Sequence, residues 1–212
     1  MLVVESFPVG PLQCNCSIIG CKETGEAAVI DAGGDVDVII AAAEKMGLKI
    51  KYLLHTHAHF DHVLGSREVK EKTGAEICLH KGDQWLYDNL LKQCSMFGFT
   101  ATDPLPVDRY LDDEEEVKFG NLKASVIHTP GHTPGSLCFS VEDKESVLFA
   151  GDTLFRQGIG RTDLWGGSFE EIIDSISNRL FTLDDSTRVV TGHGPDTVIW
   201  KEKRDNPFVS AK

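Results

Sequence analysis

Four times along this chain of 212 residues, a short apolar run ends in a segment carrying metal-ligating side chains. The richest follows Tyr52-Leu53-Leu54, where His57, His59, Asp61 and His62 put three imidazoles and a carboxylate within six positions. The other three carry one ligand each, set among glycines. Ser125-Val126-Ile127 precedes Gly131-His132-Thr133-Pro134-Gly135, Ser146-Val147-Leu148-Phe149 precedes Gly151-Asp152-Thr153, and Arg188-Val189-Val190 precedes Gly192-His193-Gly194. A ligand at the end of a strand has a rigid support, and adjacent glycines let the backbone turn sharply and approach an ion closely. The i, i+2 spacing of His57 and His59 does not place both on one helix face, as i, i+4 would, but suits an extended segment leaving a strand. Asp61 and His62 then open a helix through Val63, Leu64, Val69 and Lys70.

Imidazole suits zinc and iron, and the added carboxylate suits a hard divalent metal. A catalytic ion usually takes three protein ligands and keeps a position open. Four ligand-type side chains this close exceed that need, so the crowding points to two ions. A histidine-rich surface turn is the bland alternative, and it leaves the three downstream motifs without an explanation.

The rest of the sequence narrows the function classes. A hydrophobic share of 41% and a charged share of 25% are ordinary for a soluble globular protein. The length suits one domain over 1–212 with a full core. A net charge of −12 disfavours a nucleic-acid partner, which needs a basic patch. Met1-Leu2-Val3-Val4-Glu5 has no basic start, and its apolar run is broken by Glu5 and Pro8, so no secretory signal is expected. No apolar segment approaches the roughly twenty residues that span a bilayer. A cytoplasmic protein without membrane partners is the expectation, and it counts against a secreted β-lactamase. Cys14, Cys16, Cys21, Cys78, Cys94 and Cys138 then read as reduced thiols rather than disulfides. Cys14-Asn15-Cys16 could be a soft-metal pair, but it alternates into Ile18 and Ile19, which favours burial in a strand.

Apolar runs at Cys16–Ile19 and Ala27–Ile30 flank a hairpin turn at Lys22-Glu23-Thr24-Gly25. Val36, Ile39, Ile40 and Ala43 fall at helical spacing after Asp35. Gly33-Gly34 lacks any phosphate-loop pattern and reads as a tight turn. Further strands are expected over 51–54, 76–79, 117–119, 122–127, 136–141, 146–149 and 188–190, with helices through Trp85, Leu86, Leu90 and Leu91 and over 169–180. Asp112 to Glu116 reads as a solvated acidic turn. Met96, Phe97 and Phe99 are packing residues or an apolar lip over a pocket. Strand clusters accompanied by helices suit a layered α/β domain.

The ligand motifs resemble those of the metallo-β-lactamase-fold hydrolases, whose signature is H-x-H-x-D-H followed by single His, Asp and His ligands. Gly160-Arg161-Thr162-Asp163, Gly192-His193-Gly194-Pro195 and Arg204-Asp205-Asn206-Pro207-Phe208 are similar to the short bacterial glyoxalase II-like branch. The resemblance runs from about Val3 to Phe208. It implies a four-layer αββα sandwich with the metals at the edge between two sheets. It also implies that His57, His59 and His132 hold one ion, that Asp61, His62 and His193 hold the other, and that Asp152 bridges them. The cofactor expected is a pair of divalent ions, zinc first, with iron or manganese as alternatives.

Two such ions lie roughly 3.5–4 Å apart and lower the pKa of bound water toward about 7. That supplies a nucleophile in a chain with no G-x-S-x-G elbow and no cysteine in a catalytic setting. Attack on a thioester such as S-lactoylglutathione asks least of the site, since a thiolate leaves readily. Asp61 and Asp152 are the residues expected at the chemistry. The resemblance places Arg161 where longer glyoxalase II enzymes bind the glutathione carboxylate; an internal Arg161–Asp163 pair is the alternative. The tyrosines of those enzymes are unmatched, with Asp163 and Pro195 in the corresponding places, and their C-terminal helical domain is not found. His55 and His128 could orient ligands or simply pack, and His80 reads as a loop residue.

The rival enzyme is a glutathione-persulfide dioxygenase, which shares the Gly-Arg-Thr-Asp motif and uses one iron on the His57, His59, His132 and Asp152 positions. Retention of His193 beside Asp61 and His62 favours the hydrolase. A flavodiiron-type redox module carries Glu where His59 stands here. A non-catalytic relative would have a damaged ligand set, whereas all seven positions hold ligand-type residues.

Overall fold

The structure is a computed structural model that describes residues 1–209. Its first sheet runs in the order β1 (Leu2–Val9), β2 (Cys14–Cys21), β3 (Glu26–Ile30), β4 (Lys49–Leu54), β5 (Glu76–Leu79) and β6 (Arg109–Tyr110). The first three strands are antiparallel neighbours; β3 to β6 are parallel. The second sheet contains β7 (Glu116–Phe119), β8 (Leu122–His128), β9 (Leu137–Glu142), β10 (Ser146–Gly151), β13 (Arg188–Thr191) and β14 (Thr197–Val198). Its order is β14-β13-β10-β9-β8-β7, antiparallel except for the β10–β13 pair. A small ribbon, β11 (Leu154–Phe155) with β12 (Gly158–Ile159), follows the Asp152 turn.

The two-residue period of each strand sorts its side chains into separate layers. Ile19, Ala28, Ile30, Leu54 and Cys78 face Val126, Phe139, Val147, Phe149 and Val190 of the other sheet. Their neighbours Ile18, Val29, Leu53 and Ile77 point the opposite way, onto Val36 and Ile39 of α1 (Val36–Lys45) and Val69. On the far side, Leu148, Ala150 and Val189 pack against Ile172 and Ile176. Ile172 belongs to α6 (Phe169–Ser175), and Ile176 to the π-helical turn Ile176–Leu180 that follows it. The result is the αββα sandwich, with one core between the sheets and one under each helical layer. Among the described residues, no helix is long and apolar enough to cross a membrane.

Several boundaries differ from the pattern. The helix expected from Asp61 through Lys70 is two: α2 (Phe60–Val63) and α3 (Ser66–Thr73). It breaks because Gly65 presses its backbone onto the β3–α1 turn, donating its N–H to Ala32 O at 2.8 Å. There a Cβ would meet that oxygen at 2.8 Å. The stretch through Trp85 and Leu91 likewise divides into α4 (Gln84–Asp88) and α5 (Leu90–Met96). Leu2–Val9, read only for its lack of a signal, forms an edge strand, a place that tolerates Pro8. The acidic run is not a simple solvated turn: Asp113 Oδ1 accepts from His128 N at 2.8 Å and from Arg179 Nη2 at 2.9 Å. Glu115 pairs with Arg109. All six cysteines are free and buried.

Candidate metal centre

Each ligand-type residue identified in the sequence follows the C-terminal end of a strand. His57 and His59 leave β4, and Asp61 and His62 lie in α2, immediately beyond. His132 follows β8, Asp152 follows β10 and His193 follows β13. The ends of β4 in one sheet and of β8, β10 and β13 in the other meet along one edge of the sandwich, and all seven side chains come together there.

They form linked groups. His57, His59 and His132 offer ligand atoms within 4.8 Å of one another, as do Asp61, His62 and His193, and also His57, His62 and Asp152. His59 Nδ1 stands 2.9 Å from His132 Nε2, and His62 Nε2 stands 3.2 Å from His193 Nε2. The Asp152 carboxylate lies between, with Oδ1 3.4 Å from His62 Nε2 and Oδ2 3.6 Å from His132 Nε2. Asp61 Oδ2 is 3.1 Å from His193 Nε2.

Hydrogen bonds on the far side of three rings decide where their lone pairs point. His132 Nδ1 lies 2.8 Å from the carbonyl of Arg161, which can only accept, so Nδ1 carries the proton. His62 Nδ1 donates to Asp31 Oδ2 at 3.0 Å. Thr56 Oγ1 gives its own proton to Asp31 Oδ2 at 2.6 Å and therefore accepts from His57 Nδ1 at 3.1 Å. In all three rings Nδ1 carries a proton, so Nε2 is the nitrogen left to bind a metal. His57 Nε2 and Asp152 Oδ1, both in the cluster, are buried without any hydrogen-bond partner. Orphaned buried polar atoms are costly, so a set of facing imidazole nitrogens and carboxylate oxygens fits cations held between them.

The electrostatics divide the cluster. Burial, reinforced by the neighbouring imidazoles, holds His57 well below its usual range and brings His59 to about 3, which keeps them in the neutral form that binds a metal. Burial opposes charge on His62 and His193 too, but Cys14 and the Asp152, Asp61 and Asp31 carboxylates raise His62 well above its usual range, and Asp61 and Asp152 raise His193. Burial opposes ionisation of Asp61, but His62 and His193 hold its carboxyl well below the usual range.

Glycines make the close approach possible. A Cβ on Gly192 would lie 2.1 Å from Asp152 Oδ1, and one on Gly151, at φ +48°, would lie 2.4 Å from Thr56 Oγ1.

Sequence reasoning missed the supporting carboxylates. Asp31, only 1% exposed, accepts from Thr56 N at 2.8 Å as well as from Thr56 Oγ1 and His62. Asp83 joins two ligand loops, accepting from Ala58 N at 2.9 Å, Thr133 Oγ1 at 2.8 Å and Gly135 N at 2.6 Å. Cys14 lies in β2 as expected, yet its thiol also packs 3.3 Å from His62 Nδ1; burial pushes that thiol up to about 12. His55 is buried against Ser66 Oγ at 2.9 Å. His128 donates to Pro134 O at 2.9 Å and so steadies the His132 loop. His80 is more than a loop residue: it caps a 3₁₀ turn and stacks on His128 at 4.2 Å.

A cleft of about 150 Å³ opens onto the cluster, lined in part by His59, Asp61, His132, Asp152, Arg161 and His193. The Arg161 guanidinium forms the two-toothed pair with Asp163, at 2.8 and 2.7 Å, that the sequence offered as one reading. Phe97 reaches the cleft, whereas Met96 stands exposed outside it.

Paired sheets between helical layers, with a His/Asp cluster at the strand ends, define a metallo-hydrolase of the αββα class. The chain belongs to the metallo-beta-lactamase superfamily, whose profile matches residues 9–193. It is 40% identical over 211 residues to a Haemophilus influenzae protein named hydroxyacylglutathione hydrolase GloC, covering 99% of each chain. The crystal structure of BLEG-1 B3 metallo-beta-lactamase is similar at a TM-score of 0.91 and 37% identity, over 99% of this chain and 100% of that one. The crystal structure of TTHA1623 in a di-iron-bound form is similar at a TM-score of 0.85 and 34% identity, over 97% and 100%.

Proposed function

We propose that this chain is a binuclear metal-dependent hydrolase of thioesters, with glutathione thioesters the first class to try. The observation that carries the reading is the placement of the Asp152 carboxylate between two groups of nitrogens, with Oδ1 3.4 Å from His62 Nε2 and Oδ2 3.6 Å from His132 Nε2 and 3.8 Å from His193 Nε2. His57, His59 and His132 would hold one ion and Asp61, His62 and His193 the other, with Asp152 shared. Imidazole-rich donors with two carboxylates suit zinc, and suit iron or manganese as well. Bound there, divalent ions polarise a carbonyl and lower the pKa of water toward about 7.

The protein's own part is positioning. Among the described residues, the cleft lining holds no serine, cysteine, threonine or lysine, so water is the nucleophile that these residues leave to the site. Asp61 lines the cleft beside Asp152 and is assigned to orienting that water. Asp31, Thr56 and the Arg161 carbonyl fix the ring tautomers, and Asp83 keeps the two ligand loops in register. A thiolate departs without a strong general acid. Arg161 at the rim is available to a substrate carboxylate only by exchanging Asp163 for it. The acidic net charge and the free, buried thiols fit a cytoplasmic enzyme with small-molecule partners.

The test pairs metal analysis with turnover of S-lactoylglutathione, a β-lactam serving as control substrate. Two ions per chain and a kcat/KM within roughly 10⁴–10⁸ M⁻¹s⁻¹, lost in His59→Ala, are expected. One iron per chain with consumption of oxygen and glutathione persulfide would replace the hydrolase with a dioxygenase. Faster opening of the β-lactam would replace the thioester with an amide.

A further inference from the structure

The strand that supports the first ligand group ends before its ligands do. Contact between β4 and β5 closes where His55 N donates to Cys78 O at 3.0 Å. Among the described residues, no strand pairs with residues 57–60. His59 is nonetheless extended, at φ −68° and ψ 146°. The buried peptides on either side of it must find partners elsewhere.

Two buried side chains supply them. Ala58 N donates to Asp83 Oδ2 at 2.9 Å, Gln93 Nε2 donates to Ala58 O at 3.0 Å, and Phe60 N donates to Gln93 Oε1 at 3.2 Å. A residue's C=O and the N–H two positions on are the pair that one peptide of a parallel neighbouring strand satisfies. The Gln93 carboxamide takes the place of that peptide and spans His59. Its second Nε2 proton goes to Leu86 O at 2.7 Å, which anchors the amide to α4. Two carbonyl partners and one N–H partner also fix which end of the amide is nitrogen. A carboxylate here would turn an acceptor oxygen toward two carbonyls, and an apolar side chain would leave three backbone groups unpaired.

Resting on the assignment of His59 to the three-histidine ion, we propose that Gln93 is a positioning residue for that ion. It fixes the peptides on both sides of His59 before metal arrives, and so sets where this ring stands against His57 and His132.

Gln93 also borders the cleft, so turnover would mix this role with substrate contact, whereas metal affinity does not. The test is stepwise competition of metal-loaded protein against a calibrated chelator. Gln93→Met keeps the length of the side chain and removes all three bonds. It should weaken one ion by about 10–100-fold and leave the other within about twofold of the parent. In the double variant with His59→Ala, the methionine should add no further loss beyond about twofold, since the ligand it misplaces is already gone. A general loss of folding stability would instead weaken both ions, or add to His59→Ala in full, and either result overturns the inference. Both ions held as tightly as in the parent overturn it too, and leave the ligand assignment standing. His59→Ala with both ions at parental affinity overturns the assignment and the inference together. A second readout needs no variant: in metal-free parent protein, the Ala58 and Phe60 amides should exchange with solvent as slowly as those of β4. Fast exchange there, with β4 protected, shows that metal rather than Gln93 holds the loop and overturns the inference.

Discussion

Replacing Asp31 by asparagine removes one anionic oxygen from behind His62 without changing the size of the side chain. Asparagine is the informative choice because Asp31 sits at φ 56°, a left-handed conformation that Asn tolerates and Ala does not. Alanine would also strip the acceptor from Thr56 N, Thr56 Oγ1 and His62 Nδ1 together. In D31N the new carbonyl can still serve Thr56 N, and the Thr56 hydroxyl can rotate to accept from the new amide. The His62 Nδ1–H is then left facing an N–H₂ donor. Losing one buried charge-assisted hydrogen bond costs about 1.5–3 kcal/mol, which in a chain of this size lowers Tm by roughly 3–12 °C. The larger effect falls on the site. With no acceptor at Nδ1, the ring favours a proton on Nε2, the nitrogen that faces His193 at 3.2 Å. Partners of this kind are typically worth 10–100-fold in metal affinity. Competition against a calibrated chelator measures that affinity, and a melt measures the stability. D31N protein that binds metal as tightly as the parent would refute the orienting role, whatever its Tm.

Gly192→Ala should damage the centre more than the fold. Its Cβ would stand 2.1 Å from Asp152 Oδ1, so the carboxylate must swing out of its place between the two groups. The expected outcome is loss of at least one equivalent of metal with an unchanged far-ultraviolet circular dichroism spectrum; full metal content would count against Asp152 as the shared residue. Removing metal from the parent protein should lower Tm as well as abolish activity. An ion present at a hundred times its Kd stabilises by about 2.7 kcal/mol, or roughly 5–11 °C here, and a melt unmoved by chelation would argue against ligands drawn from both sheets.

The seven ligand-type residues were legible because rare side chains follow common local signals: His57, His59, Asp61 and His62 crowd together after the apolar run Tyr52-Leu53-Leu54, and His132, Asp152 and His193 stand beside glycines after apolar runs. The layered α/β class was legible from strand clusters accompanied by helices, and the αββα order from the resemblance of the ligand motifs; the structure then sends neighbours such as Ile18 and Ile19, or Leu53 and Leu54, to opposite faces. Asp31 carried no such signal. Asp31-Ala32-Gly33-Gly34 reads as a turn, and its link to Thr56 exists only because β3 and β4 pair in parallel, with Ile30 opposite Leu54. That register is a tertiary fact. Asp83 was hidden likewise, since its partners at Ala58, Thr133 and Gly135 come from two distant loops. The split of the helix after Val63 was obscured because Gly65 is tolerated inside a helical pattern, and only contact with Ala32 O makes it a break. Two-residue strands such as β6 and β14 are too short for any periodicity to show.

The order in which the strand ends emerge from the ribosome differs from their order around the site. His57, His59 and His132 are all synthesised before Asp152, whereas Asp61 and His62 wait for His193, about sixty residues after His132. At roughly 5–20 residues per second that interval is several seconds. Through it, a growing chain holds every member of one imidazole group and only part of the other. The strand β13, which brings His193, also pairs directly with β10, which brings Asp152. Pairing of β13 with β10 and completion of the second group are therefore the same event. The three-histidine group is thus present in the growing chain seconds before the carboxylate-bearing one.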